Sequence, residues 1–189
     1  MKFPVFALLA ACMTALSMGP TGSSLSAEAQ KAQSKPLELT WEELMPEGEE
    51  ERILQLYEAY YATVGAKGGA GDIAEGSAAD SMPQIGTFNT VKALDKRLVR
   101  IPGYIVPFDF SSKETYKEFL LVPYFGACIH TPPPPPNQIV YVSVKAGVKI
   151  KDIWAPVWIE GVLSTARKEN SLGNAAYSLE MTRLQPYDQ

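Results

Sequence analysis

The 189-residue chain is poor in the side chains that most often carry chemistry: it has two cysteines, one histidine and a net charge of only −4. Cys12 lies inside an apolar N-terminal run that reads as an export leader, which leaves Cys128 as the one thiol after processing. A single thiol forms no internal disulfide. Without a Cys-x-x-Cys pair there is also no resolving thiol for disulfide exchange. The sequence has no basic cluster, which argues against tracking a nucleic-acid backbone. Beyond the leader, no apolar run approaches the roughly 20 residues that a membrane-spanning helix needs. Gly68-Gly69-Ala70-Gly71 lacks the flanking strand and the Lys-Ser/Thr pair of a phosphate-cradling loop.

What is present begins with that leader. Lys2 gives it a positive end, residues 3–18 are almost uninterrupted apolar sequence, and Gly19-Pro20 breaks the run. Ala27-Glu28-Ala29 then offers a small-x-small cleavage site, so residues 1–29 read as a signal peptide. Leu9-Ala10-Ala11-Cys12 supports a second reading, a lipoprotein signal cut before Cys12, which would leave the protein lipid-anchored through that cysteine. Either way the expectation is export to the periplasm. Removing residues 1–29 takes away Lys2 and Glu28 and leaves 160 residues with 16 basic and 20 acidic side chains, enough for one domain with its own core.

Residues 30–39 read as a tether or extended arm. In the helical segment 40–64, Thr40 and Glu43 have capping-box spacing. Ile53, Leu56, Tyr57, Tyr60 and Val64 recur at three- and four-residue steps and predict a helix. Residues 65–85 read as a flexible loop rich in glycine and alanine. The domain at 86–189, globular together with 40–64, is expected to be β-structured. Its strands are predicted at 97–107, 116–124, 138–144, 157–163 and 176–184, with a bulge or sharp bend at Pro102-Gly103. Five strands after one helix, with glycines inside the runs, predict a small curved antiparallel barrel, OB-like; a two-layer β-sandwich is the alternative.

The strongest site candidate is Cys128-Ile129-His130, followed by Thr131, five prolines at 132–136, Asn137 and Gln138. Two residues of separation put both side chains on one face of an extended segment. Thiolate and imidazole suit zinc or copper. A pair is only half of a closed structural site, so Asp109, Glu114, Glu118 or a second chain would have to complete the shell. The same pair also allows thiol chemistry, with His130 lowering the pKa of Cys128. The structural alternative is that Cys128 fills the core and His130 holds the loop. The prolines predict a stiff polyproline segment docked against the protein's own aromatic side chains, with Tyr104, Tyr124, Phe125, Tyr141, Trp154 and Trp158 as candidates. Asn137 and Gln138 are expected to satisfy backbone groups where the chain re-enters the sheet.

Three stretches resemble DUF3299, a family of exported bacterial proteins of unknown function. They are Ile101-Pro102-Gly103-Tyr104-Ile105-Val106-Pro107, the run from Glu118 through His130 to Gln138, and Pro156-Val157-Trp158-Ile159-Glu160-Gly161-Val162-Leu163. Trp41-Glu42-Glu43-Leu44-Met45-Pro46 resembles the family's opening motif. The resemblance implies a periplasmic location in a Gram-negative bacterium, soluble or lipid-anchored, and adds weight to a metal-linked or transport-accessory role. It implies no catalytic residues. The leading expectation is therefore a periplasmic binding or transport-accessory protein that meets an envelope protein or transporter component, with a divalent metal on Cys128 and His130. A thiol-dependent or metal-assisted hydrolase, and a purely structural or protein-interaction module, are the alternatives. Tyr124 and Trp158 join Asp109, Glu118, Asn137 and Gln138 as candidates for ligand contact or loop support.

Overall fold

The computed structural model of the chain describes residues 35–66, 83–108, 115–127 and 133–187. The leader with Cys12, and residues 67–82 of the glycine-rich stretch, lie outside the described residues. In chain order the elements are β1 (Leu37–Glu38), α1 (Glu49–Ala66), β2 (Leu98–Pro107), β3 (Tyr116–Val122), β4 (Val140–Val148), β5 (Val157–Ser164) and β6 (Tyr177–Pro186). Short 3-10 turns at Glu42–Leu44, Lys92–Leu94 and Pro136–Gln138 join them.

β2 to β6 close on themselves in the order β2-β3-β4-β6-β5-β2. Counting only these five strands the order is 1-2-3-5-4-1, a Greek-key barrel of the OB type. The closure is mixed, because β4 and β6 run parallel while the other neighbours are antiparallel. An antiparallel barrel is thus corrected in one pairing, and the reason is parity. An odd number of strands cannot alternate direction all the way round a closed ring.

Closure also requires β2 to serve two partners. Leu98 to Gly103 pair with β5, and Tyr104 to Pro107 pair with β3. Pro102 and Gly103 stay in register with Trp158 and Val157, so the expected bend is the point where the strand changes partner. A Cβ on Gly103 would lie 2.8 Å from the Val122 carbonyl oxygen, which is why a glycine stands at this crossing. β5 has its own irregularity between Glu160 and Gly161, where a Cβ on Gly161 would collide with the backbone of Glu180. β1 lies along the edge of β2 not taken by β5, with Leu37 opposite Val99 and the Leu39 N–H donating to the Arg100 carbonyl at 2.8 Å.

Alternation sends the side chains of one strand to two separate cores. In β3, Phe119 and Leu121 belong to the barrel interior, while Leu120 and Val122 belong to a second cluster with Val106, Ala127, Ile139 and Ala175. All four β3 residues are fully buried, so the run reads as continuous apolar sequence. The interior is also crossed by Tyr177, whose hydroxyl donates to the Leu44 carbonyl at 2.8 Å and accepts the Val91 N–H at 2.7 Å. The Thr40–Glu43 spacing forms half of its capping box, with the Thr40 N–H donating to Glu43 Oε2 at 2.7 Å.

α1 forms where the helical spacing predicts it, over Glu49–Ala66. Its first turns dock most closely: Glu49 accepts hydrogen bonds from Thr87 Oγ1 and from Asn89 Nδ2, and Ile53 is buried. Tyr57 and Tyr60 are half-buried, while Leu54, Leu56 and Tyr61 are exposed. Loop residues Ala127, Ile139 and Ala175 pack over the outer face of β3. Among the described residues no helix is long and apolar enough to cross a membrane.

Burial pushes the Tyr177 phenol up to about 12. The fold prefers the neutral phenol, so this contribution is complete below the unfolded value near 10 and is lost as pH rises from about 10 through about 12. Tyr177→Phe should lower stability by about 1–3 kcal/mol in denaturant unfolding, since the Leu44 carbonyl and Val91 amide lose their shared partner. It should also remove one late-ionising tyrosine from an absorbance titration. Unchanged stability and an unchanged titration would show that the hydroxyl is not held as described.

Candidate functional site

The loop that joins β3 to β4, residues 123–139, has two firm feet. At the first, Gly126 adopts φ +79° and Ala127 is fully buried in the outer cluster. The second is made of prolines, whose rings remove N–H donors and leave only carbonyls to satisfy. Gln84 does this with one side chain: its Nε2 donates to the carbonyls of Pro134 at 2.8 Å and Asn174 at 2.9 Å. Its Oε1 accepts the Asn174 N–H at 2.8 Å. The Ala176 N–H donates to the Pro136 carbonyl at 2.7 Å. Gly86 lies so close that a Cβ there would come within 2.6 Å of Pro135. Pro134 and Pro136 are buried, so the described part of the proline run is docked on its own protein, as expected. Its described partners are Gln84, Gly86 and Ala176, where the sequence had suggested aromatic rings.

Asn137 and Gln138 seat the return into β4. Asn137 is fully buried and its Nδ2 donates to the Asn89 carbonyl at 3.3 Å, while its Oδ1 has no hydrogen-bond partner among the described residues. Gln138 Nε2 donates to the Trp41 carbonyl at 2.8 Å, and Trp41 Nε1 donates to the Pro102 carbonyl at 2.7 Å. The loop is thereby tied to the point where β2 changes partner. Cys128 and His130, with Thr131 and Pro132, lie outside the described residues, as does Asp109.

The other sequence candidates are engaged separately. Glu118 accepts the Tyr141 hydroxyl; burial, with that bond next, raises the phenol to about 12. Trp158 stacks under the Arg100 guanidinium, 4.0 Å from its ring centre, and beside Tyr187 at 5.2 Å. Arg100 also reaches Glu38 at 3.1 Å and Glu160 at 3.7 Å, partners that no local pattern in the sequence announced. Tyr124 is near Tyr57 of α1 and helps to raise its phenol pKa, after burial as the first cause. Among the described residues no group of three or more His, Cys, Asp or Glu side chains converges on a point.

An aromatic chain borders the first foot. Phe125 lies 6.0 Å from Tyr104 and 5.6 Å from Trp154, ring centre to ring centre. Phe125 is 58% exposed, Trp154 59% and Tyr124 45%. Three large rings in water beside one loop are unusual for a surface with no role in contact.

The DUF3299 profile, described as a protein of unknown function, matches residues 41–186. The chain belongs to DUF3299. The crystal structure of a DUF3299 family protein from Pseudomonas aeruginosa PAO1 is 35% identical, with a TM-score of 0.60 over 82% of this chain and 99% of that one. No curated protein matches the chain. The match takes in the barrel, both loop feet and the aromatic border.

Gln84→Ala should cost about 1–3 kcal/mol in denaturant unfolding, because three backbone groups lose their partner at once. A change below about 0.5 kcal/mol, the ordinary scale for surface substitutions, would mean that water replaces the amide and the foot is loose.

Proposed function

We propose that this DUF3299 protein is a non-catalytic binding or accessory module of the bacterial cell envelope, meeting its ligand or partner through the loop that carries Cys128 and His130. The observation that carries this reading is the construction of the loop's feet. A polar side chain from far away in sequence, a glycine flush against proline and a buried asparagine are all spent on fixing its ends. Binding residues concentrate on loops that a rigid scaffold holds in place. Tyr124 and Phe125 add exposed ring surface just before Cys128, with one apolar face and, for the tyrosine, one polar tip. The envelope location rests on the leader-like residues 1–29, and an envelope protein or transporter component is the partner that location offers.

Zinc or copper is the ligand best suited to a thiolate and an imidazole two residues apart. Further donors would come from water, from a partner or from residues outside those described. Tag-free protein should then carry about one equivalent of zinc or copper per chain by elemental analysis. Cys128→Ser/His130→Ala should lose it while keeping its melting temperature. Substoichiometric metal, unchanged by the two substitutions, would remove the metal from the proposal.

A further inference from the structure

Apart from that loop, the barrel has a second feature that invites a ligand. β4 ends at Val148 and β5 begins at Val157, and the connection between them forms one wall of a cavity of about 380 Å³. Ile150, Ala155, Pro156 and Val157 line it from this side, and Leu184 and Pro186 of β6 from the other. Val157 is part of the interior core, and Ile150 and Leu184 pack against that core. The cavity therefore continues the apolar inside of the barrel outward to its mouth.

Its volume falls within the 300–1,000 Å³ range of small-molecule sites. At the ~30 Å³ that a liquid water occupies, it takes roughly a dozen atoms of that size. Water gains little there, since a wall of aliphatic and proline side chains offers it few partners. Among the described residues no aromatic ring lines it, so nothing there favours a flat ligand over a linear one.

Charge decides the other end of the ligand. Among the described residues, Lys149, Lys151 and Asp152 are the charged groups that line the cavity. Asp152 Oδ1 is turned into its own loop, where it accepts the Trp154 N–H at 2.8 Å. Lys149 is already engaged in an interaction of its own, which leaves Lys151 as the ammonium for a bound head group. Exposed Lys151, beside a carboxylate already engaged by a backbone amide, puts a positive charge at the rim on an otherwise acidic protein.

We propose that this cavity binds a medium-chain alkyl carboxylate, with its tail against Ile150, Val157 and Leu184 and its carboxylate at Lys151. Decanoate is the probe. Isothermal titration calorimetry of the tag-free chain should show one equivalent of decanoate bound, and no binding of acetate, which lacks the tail. Ala155→Trp fills the cavity and should abolish binding at an unchanged melting temperature; Leu184→Phe serves the same purpose if the first variant does not fold. Lys151→Glu should weaken decanoate about fivefold, the scale of one exposed ion pair, and leave decanol unaffected. Cys128→Ser/His130→Ala should bind decanoate normally, which separates this site from the metal loop. Absence of decanoate binding, binding that survives a filled cavity, or equal affinity in Lys151→Glu would each overturn the proposal.

Discussion

The architecture depends on one strand being shared between two neighbours. β2 gives its first six residues to β5 and its last four to β3, and the exchange happens between Gly103 and Tyr104. The crossing has no room for a side chain at Gly103, since the Val122 carbonyl and Leu121 lie where a Cβ would be. Without that sharing the sheet would be open, with two long apolar edges facing water. With it, every barrel strand has a partner on each side, and β1 pairs with Val99 and Arg100 in the part of β2 that β3 leaves bare.

Closure also determines where the candidate site sits. With the interior sealed, apolar residues on the outer face of β2, β3 and β4 form a second cluster, and loops cover it. Leu120, Val122 and Ile139 are covered by Ala127 and Ala175, which places the feet of the β3–β4 loop directly on the barrel wall. Gln138 reaches back to Trp41, and Trp41 to Pro102, so the loop and the strand-sharing point are held in one hydrogen-bonded series. Buried polar groups joined this way are costly to leave half-made, which favours a single arrangement of the loop ends.

Much of the barrel was legible because strand period is a local property. The five runs are found within a few residues of where alternation places them, and the docked prolines follow from a run flanked directly by strands. The parallel β4–β6 pairing was not legible, because it follows from counting strands around a closed ring and not from any pattern within β4 or β6. The helix shows the same limit. Ile53, Leu56, Tyr57 and Tyr60 have helical spacing, yet spacing alone cannot say which of them the fold buries. Gln84 carried no signal at all: its partners lie 50 and 90 residues away, and an isolated glutamine in a loop looks like any other. Asn137 and Gln138 were readable as loop supports because they follow prolines at a strand entry. Arg100 was not readable as the ligand of Glu38 and Glu160, since the three meet only after β1 and β5 have assembled on β2.

That the described ends of the β3–β4 loop are held as firmly as the barrel is the claim from which the functional reading follows. Amide hydrogen exchange on the native protein tests it directly at Gln138 and Ala176, whose N–H groups donate to Pro135 and Pro136 at 2.8 and 2.7 Å. Both amides should exchange as slowly as that of Leu121 in the middle of β3, through opening of the whole barrel. Exchange at the rate of an unprotected amide, while Leu121 stays protected, would contradict the account and leave a loop without fixed ends.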